Sequence, residues 1–91
     1  MRTIILDGQH YATRDQLHDE LKEKLALPDY YGRNLDALWD CLTGWVELPL
    51  TIQWTHFEQS ERHLGDYSHQ LVELFREAEE ELAEFHLIVK Q

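Results

Sequence analysis

LPDYYGRNLDALWDCLTGW, residues 27–45, decides how the rest of the chain is read. Pro28 locks its own φ and pushes Leu27 out of the helical region, so an earlier helix stops there. Gly32 is placed to take a turn conformation that a bulkier residue resists. Asn34 suits an N-cap, because its side-chain oxygen can accept an unpaired N–H of a first turn. A helix is expected from about Leu35 to Thr43, with Gly44 in the left-handed position just past its end. At about 100° per residue, Leu35, Leu38, Trp39 and Leu42 share one face of that helix.

Asp36, Asp40 and Thr43 fall on an adjoining face. Two aspartates at i, i+4 repel and mildly destabilise a helix. The helix dipole favours Asp36 in the first turn but not Asp40 near the far end. Neither has a Lys or Arg four residues away, and Arg33 is the only local cation able to offset Asp36 in part. A random pair of surface acids is usually a solvated face. This pair is bordered by Tyr30, Tyr31, Trp39 and Trp45, and aromatics beside unpaired charge describe a binding surface better.

The flanks supply the fold. Before the central stretch, Arg2–Asp7 (RTIILD) reads as a buried strand closed by Asp7-Gly8. Thr13 with Gln16 is a capping box. The helix it opens runs to about Leu25 with Leu17, Leu21 and Leu25 on one face, and Glu20 can pair with Lys24. After it, Leu50–Trp54 reads as a second strand with Pro49 at its start. Thr55 and Glu58 form a second capping box, opening a short helix that carries Phe57 and Leu64 inward and stops near Gly65. Ser68 can cap a longer helix with Leu71, Leu74, Phe75, Ala78 and Leu82 inward. Its outer run of Glu77, Glu79, Glu80, Glu81 and Glu84 is most simply solvated. Phe85–Lys90 reads as a third strand. The order predicts a single α/β domain over residues 1–91, with three buried parallel strands, right-handed crossovers and about four packed helices.

Composition narrows the function. Net charge is −10 over 91 residues, which argues against nucleic acid and for basic partners. One cysteine, Cys41, leaves no internal disulfide or multi-cysteine zinc site. Ile4–Leu6 is too short for a signal-peptide core and no run could span a membrane, so a cytoplasmic location is expected.

Catalytic readings are weak. Cys41 sits at the edge of the apolar face with no histidine placed to activate it, which suits a small core residue. The six histidines show no HxxxH pair, so no metal site and no cofactor are expected. His86 alternates with Leu87 in a strand and reads as structural. Asp36 and Asp40 could form an acid pair or a divalent-ion clamp, but so short a chain leaves little room for a substrate cleft.

At Tyr30-Tyr31-Gly32-Arg33-Asn34-Leu35-Asp36-Ala37-Leu38-Trp39-Asp40-Cys41-Leu42-Thr43-Gly44-Trp45 the chain resembles the barstar family, intracellular inhibitors of barnase-type bacterial ribonucleases. The resemblance extends through Leu48-Pro49-Leu50, Trp54, Phe57-Glu58-Gln59-Ser60 and Phe75-Arg76-Glu77-Ala78, and so covers nearly the whole chain. It implies a barstar-like fold, a cis Leu48–Pro49 peptide, and a one-to-one complex in which the central loop and helix plug a basic ribonuclease. Carried over by position, the contact residues are Tyr30, Asn34, Leu35, Asp36, Trp39, Asp40, Thr43, Gly44 and Trp45, with Glu77 from the long helix. Asp40 takes the place of the substrate phosphate, and Asp36 and Glu77 meet further cations. Arg33 departs from an acidic residue of the family, and Ala83 from a second cysteine. The expected function is a non-enzymatic ribonuclease inhibitor. The alternative is a barstar-fold binding module for a different basic protein.

Overall fold

Alternation with a period of two sets the sheet. β1 (Arg2–Asp7) turns Ile4 and Leu6 inward, β2 (Leu50–Thr55) turns Leu50, Ile52 and Trp54, and β3 (Phe85–Val89) turns Phe85 and Leu87. The strands are parallel in the order β1-β2-β3, with Ile4 opposite Ile52 and Ile52 opposite Leu87. The computed structural model describes residues 2–91. Four helices complete the expected α/β fold: α1 (Arg14–Leu25), α2 (Leu35–Gly44), α3 (Phe57–Leu64) and α4 (Asp66–Glu81). The Leu48–Pro49 peptide is cis.

One expectation about the sheet is corrected. The outer strands are buried on one face only, and on the other face only Thr51 of the central strand is buried. Leu17, Leu21 and Leu25 of α1, Leu38 and Leu42 of α2, Phe57 of α3, and Leu71, Phe75 and Ala78 of α4 join the inward strand residues in one cluster. The other face carries Ile5 and Ile88, 46% and 41% exposed, in register with Gln53 between them. In the strand order β1-β2-β3 both crossovers step in the same direction, and crossovers of the same hand then lay their helices on the same face. Trp54 anchors the covered face, with its ring edge-on to Phe57 at 4.9 Å and to Phe75 at 6.2 Å. Its indole N–H donates to Ser60 Oγ at 3.0 Å, and Ser60 also bonds Tyr11 OH at 2.8 Å. The indole nitrogen is thus buried without being orphaned.

Helix ends follow the sequence only where the cap is local. Thr13 accepts from Gln16 N–H, while Gln16 Oε1 reaches back to Ala12 N–H rather than to Thr13. The second capping box does not form. Thr55 is the last residue of β2, opposite Asp7. His56 takes a left-handed φ of 52° and caps nothing with its side chain. The first N–H of α3, from Phe57, is met instead by Lys90 O at 3.0 Å. Ser68 does not cap α4 either, because Gly65, at φ 59°, lets the chain turn straight from α3 into a helix at Asp66. Ser68 is buried in the first turn and donates back to Gly65 O at 2.6 Å. The glutamate run is not wholly solvated: Glu79 accepts from Arg76 and from Leu87 N–H, each at 2.8 Å, tying α4 to β3.

Candidate partner-binding face

The face is built from the loop after α1. That helix ends at Ala26, left-handed at φ 53°, where Ala26 N–H and Leu27 N–H return to Glu23 O and Lys22 O. Pro28 follows, and Tyr31 N–H closes a turn on Pro28 O at 2.9 Å. Tyr30 projects outward, 79% exposed. Tyr31 does not border the acids as expected; it is buried, and its hydroxyl bonds His18 Nδ1. His18 Nε2 bonds Tyr67 OH of α4 at 2.6 Å. One buried imidazole therefore joins α1, the loop and α4, and burial lowers its pKa.

Asn34 caps α2 as expected, accepting Ala37 N–H at 2.8 Å. Two glycine assignments are corrected. The left-handed residue of the turn is Arg33, at φ 54°, and not Gly32. Gly32 serves close approach instead: an added Cβ would stand 3.3 Å from both Ala37 Cβ and Asn34 Nδ2. Gly44 is the last helical residue and not a left-handed one. The end of α2 is closed by Trp45 and Val46 N–H groups, both on Cys41 O at 2.9 Å.

Leu38 and Leu42 are fully buried, while Leu35 and Trp39 are half-buried at the edge of the core. Asp36, Asp40, Thr43 and Gly44 lie on the exposed side. Thr43 Oγ1 donates to Trp39 O at 2.9 Å. Trp45 is 50% exposed, and its indole N–H ties the end of α2 to Ala26 O at 3.0 Å. Cys41 is buried, and burial with the neighbouring Asp40 charge pushes its thiol pKa up.

α4 packs beside α2 and brings Glu77 to the face. Leu35, Asp36, Trp39, Glu73, Leu74 and Glu77 surround a shallow hollow of about 350 Å³, with Gln70 at its rim. Asn34 lies just beyond, in an adjoining hollow that also contains Asp36. Trp45 lines a separate hollow at the other end, with Leu25 and Ala26. Sequence reading did not single out Gln70 or Glu73 and took Leu74 as an inward residue, whereas it is partly buried and lines this hollow. Glu73 is one helical turn before Glu77, a spacing that would have revealed it.

Ion pairing divides the acids without singling out this face by itself, since Asp15, Glu47, Glu58 and Glu80, among others, also lie outside any ion pair among the described residues; the aromatics beside its acids set it apart. Asp7, Asp19, Glu20, Asp29, Glu61 and Glu79 each lie within 4 Å of a basic side chain. Among the described residues no ion pair reaches Asp36, Asp40, Glu73 or Glu77. Arg33 does not offset Asp36; its Nη2 lies 2.9 Å from Asp19 of α1. Exposed carboxylates without internal cations, set among half-buried aromatics, are open to charged groups from outside.

Comparison with known proteins gives a family and a relative of high identity. The family model described as "Barstar (barnase inhibitor)" matches residues 1–90. A protein of Bacillus subtilis (strain 168) named "Putative ribonuclease inhibitor YrdF" is 56% identical over 91 residues, covering 99% of this chain and 100% of that protein.

Proposed function

Because this chain belongs to the barstar family, we propose that it inhibits a barnase-like ribonuclease in a one-to-one complex, acting in the cytoplasm of the cell that makes the enzyme. It is an inhibitor and not an enzyme. α2 and the loop before it occupy the partner's active site. Asp40 stands where a substrate phosphate would bind, with Asp36 and Glu77 meeting further cations. Tyr30, Asn34, Leu35, Trp39, Thr43, Gly44 and Trp45 supply the surrounding contacts.

The observation that supports this reading is that, among the described residues, Asp36, Asp40 and Glu77 have no ion-pair partner, on a face that keeps Trp39, Trp45 and Tyr30 accessible. A ribonuclease holds cations to bind phosphate, and fixed carboxylates can satisfy the same cations. Removing charges from water costs free energy, recovered only when each carboxylate finds a well-placed donor. Helix α2 lowers that cost by fixing Asp36 and Asp40 before contact. The net charge of −10 draws a basic enzyme in, a steering effect for which barnase and barstar are themselves the measured case.

Titration of barnase with this protein tests the proposal. Ribonuclease activity should fall linearly and vanish at one equivalent. Full activity at several equivalents would remove the barnase-like target.

A further inference from the structure

The binding face is not uniformly acidic. A second hollow, of about 570 Å³, adjoins the one between α2 and α4 and is lined by Arg14, Asp15, Arg33, Asp36, Tyr67 and Gln70, among others. Asp36 and Gln70 border both hollows, so a partner seated over one reaches the other. The first hollow holds Asp36, Glu73 and Glu77 and no cation. The second brings two guanidinium groups to the same rim, in a chain with only eight Lys and Arg.

Stability does not account for the placement of Arg33, and it accounts for that of Arg14 only through one cation–π contact. Arg33 carries a left-handed φ of 54°, which disfavours any residue with a Cβ. Its pairing with Asp19 at 2.9 Å joins two half-exposed side chains, an arrangement that contributes little. Arg14 has no carboxylate within ion-pairing distance among the described residues, and its guanidinium lies over the Tyr67 ring at 4.2 Å. That ring is itself held by the bond from Tyr67 OH to His18. The ring contact uses none of the Arg14 N–H donors, and none makes a side-chain hydrogen bond among the described residues.

We propose that Arg14 and Arg33 determine specificity: they receive an acidic side chain from the rim of the partner ribonuclease and reject a partner that places Lys or Arg there. The proposal rests on the inhibitory reading above. Free guanidinium edges match a carboxylate with paired hydrogen bonds. Asp19 pairs with Arg33 by charge, and Asp15 and Asp36 moderate the positive rim without an ion pair to either guanidinium among the described residues. An RNA phosphate is a poorer occupant, because the whole-molecule charge of −10 repels a polyanion. A cation opposite the guanidiniums would be desolvated against like charge, which discriminates strongly between partners.

Double-mutant cycles test this, with barnase as the probe. Each exposed Asp and Glu of barnase is changed to Ala and combined with Arg14→Ala and with Arg33→Ala, thermal unfolding checking that every variant folds. At least one barnase carboxylate should couple to Arg14 or Arg33 by fivefold or more in dissociation constant. If the wild-type protein binds barnase and every coupling is below fivefold, the specificity proposal fails while the inhibitory reading stands. If the wild type does not bind but Arg14→Glu/Arg33→Glu does, rejection by the guanidiniums is supported. If neither binds, the barnase-like target and this inference fall together.

Discussion

At the C-terminal ends of β1 and β2, Asp7 accepts from Gln9 N–H and from His56 Nδ1, each at 2.9 Å, and Glu20 accepts from His10 at the same distance. On α2 and α4, Asp36, Asp40 and Glu77 have no such partner among the described residues. The first group of acids spends its charge inside the chain, holding the β1 turn, the start of α3 and α1 together. The second leaves its charge to solvent, on a helix where the two aspartates repel each other. The contrast is between acids committed to the fold and acids beside aromatics that stay available to a charged group from outside.

The sharpest break in that contrast is Asp40→Ala. Affinity for barnase should fall by about 2–5 kcal/mol, a magnitude carried over from measured interfacial charge pairs, the barnase–barstar pair among them. Thermal stability should hold or rise slightly, since repulsion with Asp36 is relieved. Stopped-flow kinetics should place the loss in dissociation, because the remaining charge still steers encounter. A variant that dissociates no faster than wild type would return Asp40 to the solvated face.

Asp7→Ala should do the reverse. Its carboxylate is mostly buried and accepts from Gln9 N–H and His56. Losing hydrogen bonds to a charged acceptor should cost roughly 1.5–3 kcal/mol of stability in urea unfolding. Inhibition at a temperature where the variant is folded should be unchanged. Burial tends to raise the Asp7 pKa, but the bonds from Gln9 and His56 outweigh it and the net shift is downward. The stabilisation is therefore present above the unfolded value of 3.8 and is lost as pH falls below it. An equally large loss of affinity in Asp7→Ala would erase the distinction between the two regions.

His18 links them, and pH tests the link. Its pKa is lowered, first by burial, with Arg33 and Arg14 also disfavouring the cation while Asp15 and Asp19 oppose them. The unfolded chain binds the proton at a higher pH than the folded one. Stability should therefore fall as pH drops below the ordinary value of 6.5, with this residue contributing at most about 1.4 kcal/mol per pH unit. His18→Gln should be less stable at pH 7 but should show a shallower loss between pH 6.5 and 5. Parallel curves for the two proteins would show that His18 carries none of the pH dependence.

Much of this was legible in sequence because the signals were local. Leu17, Leu21 and Leu25, and then Leu38 and Leu42, repeat at helical spacing and are buried as expected. Asn34 and Thr13 cap as expected because each acts on an N–H three residues away. The misses depend on distant chain. Whether Thr55 capped a helix or finished a strand was settled by Asp7, 48 positions earlier in the ladder. Arg33 could not be assigned to Asp19 without the packing of the loop on α1. The expected contact of Glu77 came from resemblance alone, since no periodicity on α4 reveals that α2 lies beside it.

Cys41 gives the smallest expected effect and lies on the boundary between core and face. It follows Asp40 in sequence, yet the helical turn buries it against the core while Asp40 remains exposed. Cys41→Ala removes only the sulfur, so the expected cost is about 1 kcal/mol of stability, at the low end for a core truncation. Binding to barnase should change by less than twofold, because the thiol contributes nothing to the exposed side. Burial and the Asp40 charge both raise the thiol pKa, so the thiolate is scarce at neutral pH and alkylation by iodoacetamide should be slow until the chain unfolds. Stability by urea unfolding, dissociation rate and alkylation rate together decide the point. A variant that folds normally but inhibits poorly would move the boundary inward, making the sulfur part of the surface that the partner feels.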